Sequence, residues 1–261
     1  MGSRTPIVTL PGPAVGMREF SYYLAAQFNR TTLFLRRVEF TAVVAAIDAT
    51  YQAIRTKNQG VSNGLARMVS TCHQSFYSAA SCIARGVPLD GAAVSRRAVE
   101  VARTALAIKL DPKNADRWIS FEKRMHRWRL RQNYEKPPSL AIKYEALNGD
   151  PLAEALQQES GMLSDGAVHF TPEYLSRLDF QERKRGTEIH SEYLESDDKE
   201  IARDLKMLSA VHLLILQAFD RCADGGLSRS PEFVEGLRDI AETTKVLFDR
   251  YPVPVEPKPQ N

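Results

Sequence analysis

Arg96, Glu100 and Arg103 are spaced i, i+4 and i+7. On an α-helix this places a carboxylate between two guanidinium groups on one narrow strip. Such a set has the chemistry to hold an anion: an arginine clamps a phosphate or carboxylate, and the glutamate fixes the arginine. A histidine brought to the strip would add a group that moves protons near neutral pH. Of the five histidines, His169 stands out. It lies just before Thr171-Pro172-Glu173, where a hydroxyl cap, a proline and an acid mark a helix start with free backbone N–H groups. The catalytic assignment is therefore His169 as general acid/base, Arg96 as anion clamp and Glu100 as the group that orients it. Arg103, His73, His212 and Ser164 are further candidates for the pocket. Two readings of the strip stay open. It is a solvated charge stripe, or it is a paired strip facing inward, where loss of one partner costs roughly 3–5 kcal/mol.

The element that carries the strip is Val87 to Leu110. Val94, Ala98, Val101, Ala105 and Ile108 fall on one side at 100° per residue, and Val99, Leu106 and Leu110 widen it. An apolar arc that wide predicts a helix enclosed on most sides. Before it, Ser62 or Asn63 opens a helix to about Arg85, with Leu65, Met68, Val69, Cys72, Phe76 and Ile83 on its apolar face and His73 at the edge. Gly86 ends that helix, and the short connection predicts an antiparallel helical hairpin.

Elsewhere the pattern is also helical. A short helix is expected over 18–28, and a helix over 38–57, with a strand left open near its start because that run is aromatic and β-branched. Asp111-Pro112 opens a helix to about Gln132, and Pro151 one toward Leu163. Ser196-Asp197 and Ser230-Pro231-Glu232 start the last two, Ile201–Ala223 and 231–250. In the first of these His212 shares a face with Leu205, Leu208 and Leu216, which suits a hydrogen-bonded core histidine. Leu178 and Phe180 alternate before Arg185-Gly186, and Ile189 and Tyr193 after it, as in a short β-hairpin.

Composition narrows the classes. Apolar residues make up 43% and charged residues 26%, the proportions of a globular chain. Three cysteines, Cys72, Cys82 and Cys222, sit inside apolar helical patterns without metal-ligand spacing. They read as reduced core cysteines of a cytoplasmic protein. The N-terminal stretch lacks the order of a secretory signal, and no apolar run reaches 18 residues. No P-loop, GxGxxG, GxSxG, CxxC or HExxH occurs, so no cofactor and no metal is expected.

The net charge is +3, yet Arg117 to Lys136 alone carries seven basic and two acidic residues. Arg117, Arg124, Arg127 and Arg131 form a stripe beside an apolar face of Trp118, Phe121, Met125 and Trp128. The stripe is a solvated face or an anion or nucleic-acid footprint. The tryptophans read as core rather than as a stacking platform. Arg185 and His190 match the Arg-x4–6-His spacing of HEPN-type ribonucleases, but Gly186 stands where that motif carries a polar residue, and composition alone produces about one such match.

The stretch from Ser78 to Trp118 resembles a loosely defined, uncharacterised bacterial all-helical family, some of whose members are grouped with HEPN-like bundles. The residues that carry the resemblance are Gly86, Arg96 with Glu100, Asp111-Pro112, Trp118, and a later Ser164-x4-His169. It implies RNA- or nucleotide-related work in bacterial defence or stress. The expectation is a mostly α protein, an irregular helical bundle with one small β-hairpin. Residues 1–16 form a flexible arm, 17–251 a single helical domain and 252–261 a disordered tail. RNA or a nucleotide is the expected partner, with no membrane. The rival readings are a non-catalytic interaction or homodimerisation module, and nucleic-acid binding through the arginine stripe.

Overall fold

The computed structural model describes residues 18–57, 61–131, 142, 144–167, 179–181, 190–192 and 197–252. Eight α-helices lie among them: α1 Arg18–Leu35, α2 Val38–Lys57, α3 Asn63–Ala84, α4 Pro88–Leu110, α5 Lys113–Arg131, α6 Pro151–Ala167, α7 Asp198–Cys222 and α8 Pro231–Arg250.

Local signals set most of their ends. The Ser62 hydroxyl accepts the Leu65 N–H at 3.3 Å and caps α3. Gly86, at φ 79°, turns the chain from α3 into α4, a conformation open to glycine without steric cost. The Asp150 carboxylate accepts the N–H groups of Leu152 and Ala153 at the start of α6, and also pairs with Arg221 at the end of α7. Asp197 caps α7, accepting the Lys199 N–H.

The N-terminal expectation is corrected in extent. The helix runs on to Leu35, and no strand interrupts the aromatic run that follows Thr32. Thr31 and Thr32 lie inside α1, their hydroxyls donating to the carbonyls of Gln27 and Phe28 one turn back. Tertiary burial of Phe34 and Phe40, whose rings lie 5.6 Å apart, overrides the β-preference of the stretch.

The central helix is α4, packed on α3, α6 and α7. Its buried side is Ala92, Ser95, Ala98, Val99, Ala102, Ala105 and Leu106; of the arc drawn from the sequence, Ala98, Val99, Ala105 and Leu106 lie on it, while Val94, Val101 and Ile108 are turned toward its edge. Small residues let neighbouring backbones come close, so the alanine side faces the bundle while Val94 and Val101 are only half-buried. The Cys72 thiol reaches the Ala98 carbonyl, fixing α3 against the middle of α4. On the far side α2 lies against α8, and α7 runs through the core with Leu205, Leu208, Ile215, Leu216 and Phe219 almost wholly buried.

The fold class is corrected on one point. The described residues are 87% helical, and the β-hairpin expected over 178–193 is no part of their architecture. The residues described there are two three-residue segments, Asp179–Gln181 and His190–Glu192, with antiparallel backbone pairing. Neither packs extensively on a helix, and residues 182–189 lie outside the described ones. Three residues a side leave almost no face to bury, and an isolated two-stranded ribbon is at best marginal in water. The fold is held by its helices.

Candidate functional site

The structure divides the residues singled out in the sequence among four places. Arg96 and Glu100 do form an ion pair, Nε to Oε1 at 3.3 Å, but on the outside of α4, with side chains 34% and 52% exposed. The inward-facing reading of this pair is thereby corrected. The helix is enclosed on the side of its alanines, and the charges occupy the side left to water. No described histidine meets them. An exposed i,i+4 pair of this kind contributes little, about 0.3–0.5 kcal/mol.

His73 and His212 lie instead at the centre of the bundle. His212 is fully buried, its Nδ1 sharing a 2.8 Å hydrogen bond with the Tyr51 hydroxyl, and its Nε2 has no hydrogen-bond partner. His73 stacks on the Tyr51 ring at 4.8 Å, and its Nε2 meets the Asp48 carboxylate at 2.7 Å. Tyr77 donates to the same carboxylate oxygen. Burial, reinforced by His73, pulls the His212 imidazole down to about 3, and burial pushes the Tyr51 phenol well above its ordinary range. His212 is a neutral core group, and no described cavity has His73 or His212 in its wall. Ser164 is buried too, its hydroxyl donating to the Ser160 carbonyl one turn back. His169, the proposed acid/base, lies outside the described residues.

The arginine stripe of α5 is divided in the same way. Arg117 is drawn into the α4–α5 corner, donating to Asn114 Oδ1 at 2.6 Å and pairing with Asp111 at 3.4 Å. Arg124 is exposed, and the side chains of Arg127, Trp128 and Arg131 lie outside the described residues. Trp118 is not core but half-buried, and with Phe121 and Met125 it faces open space.

That space is the candidate site. It is a groove of about 1090 Å³ between α3, α4 and α5, with Tyr144 also in its lining. α3 contributes Arg67 and Thr71, α4 contributes Arg97, Glu100, Arg103 and Thr104, and α5 the apolar wall. The Arg103 guanidinium sits 5.1 Å over the Tyr144 ring, whose hydroxyl is 3.2 Å from Thr104 Oγ1. A cation over a tyrosine face is held by the ring's quadrupole, so among the described residues Arg103 is positioned by Tyr144 rather than by an acid. Its Nε is buried and has no hydrogen-bond partner among the described residues. Among those residues, neither Arg67 nor Arg97 forms an ion pair either, while Glu100 is the single carboxylate of the lining. Three guanidinium groups against one carboxylate give the groove a positive potential, and the apolar wall lowers the local dielectric and strengthens it.

Reasoning from spacing found Glu100, Arg103 and Trp118 and missed Arg67, Arg97, Thr104 and Tyr144. Arg67 and Arg97 carry no local signal, being exposed positions on separate helices. Only the packing of α3 along α4 brings them to one groove. Among the described residues no group of three or more His, Cys, Asp or Glu is arranged for a metal ion, and no helix is long and apolar enough to cross a membrane. Comparison with family models, with curated proteins and with solved structures returned no match.

Proposed function

We propose that the α3–α4–α5 groove binds a phosphate-bearing ligand of the nucleotide class, free or within RNA. The observation that carries this reading is Arg103 held over Tyr144 with an unpartnered Nε, beside Arg67 and Arg97. An arginine fixed by a ring rather than by a carboxylate keeps its donors for a ligand anion. The aromatic wall of Trp118 and Phe121, with ring centroids 6.3 Å apart, supplies faces for a base. The resemblance of 78–118 to an uncharacterised bacterial helical family, some of whose members are grouped with HEPN-like bundles, points the same way. The site is read as a binding site, with Glu100 setting the arginines apart rather than acting on a proton.

The test is binding of AMP and of a short single-stranded RNA to the purified chain as salt is raised. Affinity should fall with a log–log slope of about −0.7 for each RNA phosphate engaged. Replacing Arg67 and Arg97 together by Ala should weaken binding by about tenfold or more and flatten that slope. Arg238→Ala, on the exposed side of α8, should change neither. Absence of binding at low salt would refute the reading.

A second reading is favoured by α1. Leu24, Phe28 and Leu35, which share one face of the helix at 100° per residue, are 46%, 53% and 65% exposed. We infer a homodimer contact there, independent of the groove.

A further inference from the structure

The groove has an annex that a phosphate alone would not use. A second cavity of about 470 Å³ adjoins it, sharing Gly64, Met68, Trp118 and Ile119 with the groove. Its other walls include Leu65, Ala105, Ile108, Ala115 and Cys222. Its volume is within the roughly 300–1,000 Å³ of small-molecule pockets.

The polar groups at its rim are already engaged. The Ser62 hydroxyl caps α3, and Lys109 pairs with Asp224 at 2.6 Å. The Cys222 thiol is kept protonated, burial pushing it up to about 12. A sugar or base placed in this cavity would give up hydrogen bonds to water with none returned, a cost of roughly 1–3 kcal/mol per group. An alkyl or aryl arm gives up nothing and removes apolar surface from water.

We propose that the site takes an amphiphilic phosphate ester, with its phosphate against Arg67, Arg97 and Arg103 and its apolar arm passing Trp118 into the cavity between Ile108 and Ala115. This rests on the phosphate reading of the groove, keeps the base of a nucleotide on the Trp118 and Phe121 faces, and adds an apolar arm to the ligand. The charge of the groove and the apolar character of the annex, met at one shared tryptophan, select for both ends of one molecule.

The experiment is calorimetric titration of the full chain with a series of n-alkyl phosphates from methyl to octyl, with AMP alongside. Affinity should rise about fourfold per added methylene and level off once the cavity is filled. Ala115→Phe, at a half-buried position on α5, should fill the cavity and abolish the dependence on chain length while leaving methyl phosphate binding unchanged. Arg97→Ala should weaken the whole series by one common factor. AMP binding with an affinity flat from methyl to octyl would overturn the proposal and leave the phosphate reading standing. So would a chain-length dependence that survives Ala115→Phe in a folded variant. Failure of every ester, AMP included, would overturn both.

Discussion

His212 shows what burial does to a single side chain. Its ring is fully enclosed, satisfied at Nδ1 by Tyr51 and unsatisfied at Nε2. A charge on its ring has no counter-ion among the described residues around it, so burial, and then the nearby His73, hold its pKa at about 3 against an ordinary 6.5. Below about pH 6.5 the unfolded chain takes up a proton that the folded chain refuses. Stability is therefore complete above that pH and falls as pH drops toward 3, by up to about 1.4 kcal/mol per unit. His212→Asn retains a polar contact to Tyr51 and does not titrate. Urea unfolding followed between about pH 6 and pH 4 should show its stability falling less steeply, by close to one proton. A slope equal to that of the parent chain would mean that His212 is reached by water. The position of His212 among leucines made its burial readable in the sequence. Its bond to Tyr51, 161 residues away, was not, because nothing local to either helix records the other.

Among the elements, α2 and α8 pack closely at Gly236. A Cβ on Gly236 would lie 2.4 Å from Thr50 Oγ1 and 3.1 Å from its Cβ. Gly236→Ala should therefore destabilise by about 1–3 kcal/mol through overpacking, even though alanine is the better helix former by about 1 kcal/mol. Thr50 bonds its own helix at Ala46, so Thr50→Ala deprives no other element of a hydrogen bond. Combined with Gly236→Ala it should recover part of the loss, read as a shift in urea midpoint, and strict additivity of the two changes would show that the helices part freely. Elements were the most legible level. Ser62, Gly86, Pro88, Pro151, Asp197 and Pro231 each mark a boundary where capping or proline geometry demands one. The exceptions share a cause. The run after Thr32 is aromatic and β-branched, and the stretch 178–193 alternates, but either makes a sheet only where a second surface receives it. Beside Phe34 the receiving surface is helical, and no extensive one is found for Asp179–Gln181 or His190–Glu192.

For the whole molecule, the apolar outer face of α1 bears on assembly. If a second copy covers it, light scattering after gel filtration should give the mass of a dimer. Phe28→Asp with Leu35→Asp should give a monomer of unchanged helicity, since both positions are at least half exposed. A parent chain that is monomeric at every concentration would remove the contact, and nucleotide binding in the groove would be untouched by that result.

Periodicity and capping determined the helical character of this chain, the ends of most of its helices and the pairing of α3 with α4, because those depend on residues within a turn or two of one another. They also showed that α4 would be enclosed. Which side of α4 would be enclosed was decided by tertiary packing: the alanine side admits three neighbouring helices at short range, and the guanidinium and carboxylate groups are left on the side where water still reaches them. The groove arose in the same step, because Arg67 on α3, Arg97 and Arg103 on α4, and Tyr144 beyond α5 become one site only when α3 and α4 pack side by side.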